Sequence, residues 1–409
     1  MRDAGWRSAL RIALLSMIEP VDGGSPLRRG FMRVGGKSLA WHQLDCALLI
    51  GCDRIICISS GLEPELIALQ HEAEQAGGRF HVCSGPKDLI SLINTNDEIF
   101  VFAEGLMVMP MEAQSLLESG PGVLVRPIEN AVAAGFERID LNWAWAGIAR
   151  ISGQHVDDLS ELEPDCNIPS ALTRIALQSG LPTREVPSAI LAGSRWQIIR
   201  NETEAYVAEN DWLGQQVGGG RSLSPGRWIA RLGVLSFGSS LLHAGNASKG
   251  VAFAALGAMA LGLGIAWPGF LIMAFLFVGA AWALLQTAAM LRKIESPVSA
   301  NRSATAQLQA AFPGWVLDLE LVVLAVWGSA RGAADTLLDL AFGPIILVLL
   351  LRLVPQLRKA HWLEWISDRL FLSLILAVCA GFGIVSEAIR VMSVALALLG
   401  MGLSSARRG

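Results

Sequence analysis

Two stretches of this sequence hold residues that stand out as candidates for binding or catalysis. The first runs from Met17 to Val34 and contains Asp22-Gly23-Gly24-Ser25-Pro26-Leu27-Arg28-Arg29-Gly30. It is followed by Phe31-Met32-Arg33-Val34-Gly35-Gly36-Lys37. A long glycine-rich loop bearing arginine can wrap a phosphate with backbone N–H groups and a guanidinium. The same glycines also suit an ordinary surface turn, and spacing alone leaves both readings open. The second stretch is apolar and holds isolated carboxylates: Asp318, Glu320, Asp335, Asp339 and Glu387. Ionisable residues inside a membrane span are costly and often functional. Asp318 lies deepest relative to the expected cytoplasmic face. An interfacial carboxylate near a helix end is the plainer alternative, and Asp335 and Glu387 read as external-interface residues.

These residues need two different scaffolds. Hydrophobic residues make up 53% of the 409 and charged residues only 17%, too apolar for an average soluble protein. Residues 1–215 nevertheless have globular composition, whereas 228–404 are dominated by Leu, Ala, Gly, Val and Ile. The first half alternates short apolar runs with amphipathic ones. Arg11–Ser16, Arg54–Ser59, Phe80–Ser84, Ile99–Ala103, Gly122–Val125 and Ala146–Ile151 read as strands. Leu39–Ile50, Glu63–Ala76, Met111–Glu118 and Pro169–Ser179 read as helices. That alternation predicts an α/β domain with a mostly parallel sheet covered on both faces. Ligands in such sheets bind beyond the carboxyl ends of the strands, here the loops after Ser16, Ser59 and Ala103.

The second half predicts an all-α membrane domain of about six helices. A Gly/Ser linker (214–226) leads into Arg227–His243, which reads as an amphipathic helix lying on the bilayer surface, with a tilted first span as the alternative. Spans of roughly 20 residues are then expected at Lys249–Trp267, Gly269–Leu291, Trp315–Ala330, Ala334–Val354, Leu370–Val385 and Val391–Ser404. Arg292, Lys293 and Arg302, then Arg352, Arg358 and Lys359, then Arg407 and Arg408 follow alternate spans. Arg331 and Arg390 are the exceptions. The positive-inside rule therefore puts both termini and residues 1–213 in the cytoplasm, at the inner membrane of a cell. A net charge of −4 argues against nucleic acid as a partner. The six cysteines form no C-x-x-C pair and read as reduced and mostly buried.

The segment Phe31–Leu39, with Arg54–Gly61 and Ala146–Ser152, resembles the sugar-nucleotide and polyol-phosphate nucleotidyltransferases of the GT-A-like NTP-transferase fold. The resemblance covers roughly residues 10–213. It implies nucleotide binding by Arg29, Gly35, Gly36 and Glu104, and Mg²⁺ as cofactor if activity survives. Departures accompany it. Met17-Ile18-Glu19-Pro20 stands where the family's first glycines would be, and Arg29 replaces a lysine. Glu104 or Leu106 takes the place of the metal-binding Asp. Trp196-Gln197-Ile198-Ile199-Arg200 lacks both carboxylates of the family's W-x-D-x-D.

This order of parts resembles a polyol-phosphate cytidylyltransferase fused to a CDP-alcohol phosphotransferase, as in bifunctional di-inositol phosphate phosphate synthases. Ser367-Asp368-Arg369-Leu370-Phe371-Leu372 supports it locally. Of that membrane family's signature, D-x2-D-G-x2-A-R-x8-G-x3-D-x3-D, this chain keeps Arg292, Gly314 and Asp318. Leu284, Thr287, Ala288 and Val322 stand in place of the first two aspartates, the first glycine and the last aspartate, and the connection between Arg292 and Gly314 is longer than in the family. Arg292 and Asp318 are thus the expected remnant of a catalytic site that has lost three of four metal carboxylates. The resemblance implies a homodimer and a nucleotide or CDP-alcohol ligand. The expected function is a binding or partner subunit for a membrane enzyme of phospholipid or polyol-phosphate metabolism. A divergent active enzyme is the alternative.

Overall fold

The computed structural model describes residues 9–24, 26–61, 63–163, 166–218, 224–295, 304–329, 337–357 and 362–405. Arg302, Arg331, Arg358, Lys359, Arg407 and Arg408, on which the expected orientation leans, lie outside the described residues, as does Asp335. The chain divides into two compact units, one ending at Trp212 and the other beginning at Leu213.

The first unit is built on β1 (Arg11–Ser16), β2 (Arg33–Val34), β3 (Lys37–Ser38), α1 (Leu39–Ile50), β4 (Arg54–Ile58), α2 (Pro64–Gln75), β5 (Arg79–Cys83), α3 (Pro86–Leu92) and β6 (Glu98–Phe102). It continues through β7 (Leu106–Val108), α4 (Pro110–Leu117), β8 (Gly122–Pro127), β9 (Trp143–Ser152), α5 (Ile168–Gln178), β10 (Thr183–Glu185), α6 (Ser188–Leu191), β11 (Trp196–Ile198) and α7 (Glu202–Gly218), whose residues from Leu213 on fall in the second unit. Seven strands form one sheet in the order β10-β8-β9-β6-β1-β4-β5. β1 pairs parallel with β4 and β6, and β5 extends β4 in parallel. β9 runs antiparallel between β6 and β8. The sheet is therefore mostly parallel, with one reversed strand. In β1 every residue after Arg11 is buried, as expected of a central strand with helices on both faces. Four of the cysteines are buried thiols, and Cys166 and Cys379 are half-buried.

The second unit is helical: α8 (Pro225–His243), α9 (Ala247–Ala266), α10 (Leu271–Glu295), α11 (Ala304–Ser329), α12 (Leu337–Leu357), α13 (Leu363–Ile366), α14 (Arg369–Phe382) and α15 (Val385–Ser405). Five helices among the described residues are long and apolar enough to cross a membrane: Ala247–Ala266, Leu271–Glu295, Phe312–Ser329, Asp339–Leu357 and Val385–Leu403. Where a span was expected over Leu370–Val385 stands α14, with only 14 residues. At 1.5 Å per residue it is about 21 Å long, short of the ~30 Å hydrocarbon layer. Gly383, in the left-handed region, stops it. The following helix begins at Val385 rather than at the expected Val391. Phe275, Val278, Leu317, Leu324 and Leu376 belong to one apolar core. Phe253, Phe270, Phe342, Phe382 and Val391 project outward, an inversion suited to lipid rather than water.

Candidate functional site

Glu104 leaves the carboxyl end of β6, where an α/β sheet places its ligand loops. Its side chain turns inward. Oε2 accepts hydrogen bonds from Ser16 Oγ and the Ile18 N–H, both at 2.9 Å, and Oε1 accepts from the Glu19 N–H at 3.0 Å. The carboxyl thus fills, from inside the protein, the nest of donors that follows β1. Burial pushes its pKa up to about 7; the bonds from Glu19, Ile18 and Ser16 oppose that rise without cancelling it.

Arg29 is equally committed. Its guanidinium pairs with Glu19 and, at 3.2 Å, with Asp22. Asn167 Nδ2 donates to the other oxygen of Glu19 at 2.9 Å. Arg28 donates to the Ile18 carbonyl at 2.7 Å and to Ser60 Oγ at 3.2 Å. Ser16, Glu19, Arg29, Glu104 and Trp145 line a cavity of about 110 Å³, room for a few waters. A second cavity of about 390 Å³ shares Glu137, Trp145 and Ser170 with it and is walled by Arg138 and Arg174.

Gly35 and Gly36 do not line either cavity. They make the two-residue turn of the β2–β3 hairpin, with φ of 63° and 78°, the left-handed pair that a tight hairpin requires. The Gly35 N–H donates to Glu209 of α7 at 3.2 Å, and a methyl on Gly35 would sit 2.2 Å from the Trp212 ring. His42 stacks edge-on with Trp41 and Trp212. Its Nε2 lies 2.9 Å from the Val34 carbonyl, and burial brings its pKa down to about 4. The glycine pair is therefore held in a packing cluster that seats α7.

In the helical unit Asp318 is buried and doubly paired. Oδ2 accepts from Arg352 Nε at 2.6 Å and Arg369 Nη2 at 3.2 Å; Oδ1 accepts from Arg369 Nε at 3.0 Å. Arg352 lies 3.5 Å above the Trp315 ring centroid, and Arg369 lies 5.7 Å from that of Trp282. The neighbouring Asp368 caps α14 at the Leu370 N–H (3.0 Å) and accepts from the Gly226 N–H of α8 at 2.6 Å. A cavity of about 550 Å³ opens here. Arg292, Arg352, Arg369, Trp282, Trp315 and Gln286 line it, and among the described residues no carboxylate is part of its wall. Arg292 has no hydrogen-bond or ion-pair partner among the described residues. Three guanidiniums thus face one cavity with a single carboxylate behind them. That combination suits an anion with several acceptor oxygens and an apolar or aromatic body.

The structure brings Arg292 and Asp318 to this one cavity region, and Arg29 and Glu104 to the first. Sequence reasoning missed Arg352 and Arg369 as partners of Asp318. They stand 34 and 51 residues away, beyond any local period. Mg²⁺ does not fit either place: the oxygens of Glu104 are taken by backbone and hydroxyl donors, those of Asp318 by arginines. Among the described residues no group of three or more His, Cys, Asp or Glu converges as a metal set.

No family model matches the chain, and no curated protein matches it. Solved structures align with the N-terminal half. A UDP-glucose pyrophosphorylase from Acinetobacter baumanii is 10% identical, with a TM-score of 0.37, over 50% of this chain and 94% of that one. An inositol-1-phosphate CTP transferase from T. maritima is 14% identical at 0.37, over 49% and 94%. A UDP-glucose pyrophosphorylase complexed with UDP-glucose is 11% identical at 0.35, over 50% and 99%. Scores below 0.5 decide nothing about chemistry, which rests here on the side chains.

Proposed function

We propose that this chain is a membrane protein whose helical unit holds a phosphate-bearing anion, and whose nucleotidyltransferase-like unit serves binding or partnership rather than nucleotidyl transfer. The reading places it in phospholipid or polyol-phosphate metabolism, beside a membrane enzyme or a second copy of itself. Residues 1–213 and both termini would face the cytoplasm, as the distribution of arginines and lysines supports. The single observation that carries the reading is the ratio of charges in the helical cavity. Arg292, Arg352 and Arg369 face it, and Asp318 neutralises only one of them. Phosphoryl or nucleotidyl transfer draws its charge stabilisation from divalent metal held by carboxylates. Here arginines occupy that role, and they bind phosphate oxygens without metal.

The α/β unit supports the same reading from the opposite side. Glu104 consumes the donors after β1 and Arg29 is neutralised by Glu19 and Asp22, so a triphosphate would have to displace three internal carboxylates.

The test is thermal unfolding of the full-length chain in detergent with inorganic phosphate, CTP or CDP-diacylglycerol, each with and without Mg²⁺. A ligand of the folded state stabilises by about 2.7 kcal/mol at 100-fold saturation. Stabilisation by phosphate or CDP-diacylglycerol that needs no Mg²⁺ and falls in Arg292→Ala is expected. A Mg²⁺-dependent response to CTP, followed by pyrophosphate release, would instead establish a divergent active enzyme.

A further inference from the structure

A second carboxylate of α11 belongs to neither site. Glu320 follows Asp318 by two residues, so the helix turns it about 200° away from the arginines. It lies near the middle of the candidate span Phe312–Ser329, about 12 Å from either end. Only 4% of it is exposed. Neither carboxyl oxygen has a hydrogen-bond partner among the described residues. It packs on α9: a methyl at Gly262 would sit 2.9 Å from Glu320 Oε1, 3.4 Å from the Ala274 carbonyl oxygen and 3.4 Å from Phe277 Cβ. Gly262 leaves the space that the carboxyl occupies.

The charged groups on the packed elements stand elsewhere. Lys249 is at the start of α9, and Arg292, Lys293 and Glu295 are at the end of α10. Asp339 opens α12 and Arg352 is spent on Asp318. Glu387 and Arg390 are in the first turns of α15, whose Val385 packs on Gly328, two turns from Glu320. An ionised carboxylate with no counter-charge or donor is disfavoured in such surroundings, whereas the neutral acid is tolerated.

We propose that Glu320 is a proton-binding carboxyl in the apolar interior of the helical unit, and a site of modification by hydrophobic carbodiimides. In that reaction the acid proton passes to a carbodiimide nitrogen and the carboxyl oxygen adds to the central carbon. An O-to-N acyl shift then leaves a stable N-acylurea. Nothing departs, and the chain gains the mass of one reagent.

The experiment treats the full chain, in detergent and in phosphatidylcholine vesicles, with dicyclohexylcarbodiimide, and locates adducts by fragmentation mass spectrometry. An adduct on Glu320 but not on the arginine-paired Asp318 is expected, absent after a water-soluble carbodiimide and absent in Glu320→Gln. Gly262→Ala, which puts a methyl against the carboxyl, should lower labelling several-fold. Absence of the adduct from the unaltered chain overturns the proposal. So does labelling of Asp318 in its place, or equal labelling by the water-soluble reagent. Because mapping on the unaltered chain decides the matter, a variant that fails to fold does not shelter it.

Discussion

In the α/β unit one arginine meets two carboxylates, and in the helical unit three arginines face one cavity while a single carboxylate pairs with two of them. Arg29 is flanked by Glu19 and Asp22, and the donors after β1 already hold Glu104. Arg292, Arg352 and Arg369 surround a cavity five times the volume of the one at Arg29, with Asp318 alone behind them. A site closed by its own charges is stable without ligand. On the proposed reading, a site left with excess positive charge is completed by an anion from outside, and the same residue type, arginine on an apolar scaffold, signals structure in one unit and binding in the other.

Removing the lone carboxylate should break this contrast hardest. Asp318→Asn leaves the buried Arg369 and the half-buried Arg352 without a counter-charge, which costs about 3–5 kcal/mol. It should appear as a large fall in detergent unfolding temperature. Added phosphate should restore more stability to this variant than to the parent, because the cavity has gained positive charge.

The internal carboxylate of the other unit gives a pH-dependent signature. Glu104 has a native pKa of about 7 against an ordinary 4.5. The native state therefore binds the proton more tightly, and its contribution is full below pH 4.5 and lost as pH rises to about 7. The shift corresponds to about 3 kcal/mol. His42, lowered from 6.5 to about 4, tilts the other way. There the unfolded chain binds the proton more tightly, so stability rises with pH across that window. The two slopes nearly cancel in the parent. Glu104→Gln should expose the rising slope alone in urea titrations between pH 4 and 7, and an unchanged profile would count against the buried Glu104 described above.

Smaller effects sharpen the same comparison. Gly35→Ala drives a methyl into Trp212 at positive φ and should cost about 2 kcal/mol, while leaving any response to CTP no worse than the parent's. Arg292→Ala should change stability by no more than about 0.5 kcal/mol, since nothing among the described residues holds it. Yet it should weaken phosphate stabilisation about tenfold in apparent affinity, the loss of one charged hydrogen bond. If calorimetry shows Arg292→Ala binding phosphate like the parent, the three-arginine cavity is not the anion site.

The residues themselves carried much of this. The alternation of apolar runs specified a mostly parallel sheet because central strands bury both faces, and β1, β4 and β6 lie where those runs lie. Long apolar segments specified membrane-length helices because hydrocarbon demands about 20 residues. Local composition is less able to place ends. Leu370–Val385 reads as a span, yet Gly383 in the left-handed region stops α14 after 14 residues. Charge pairing was beyond local reading altogether. Glu104 meets Ser16 across 88 residues, and Asp318 meets Arg369 across 51. Sequence spacing reports periods of two and 3.6 residues, whereas a carboxylate's state depends on which distant donors the fold delivers within 3 Å. The scaffold was thus written in the pattern of apolar residues. Which arginine is satisfied, and which is left facing a cavity, was decided only when strands and helices converged.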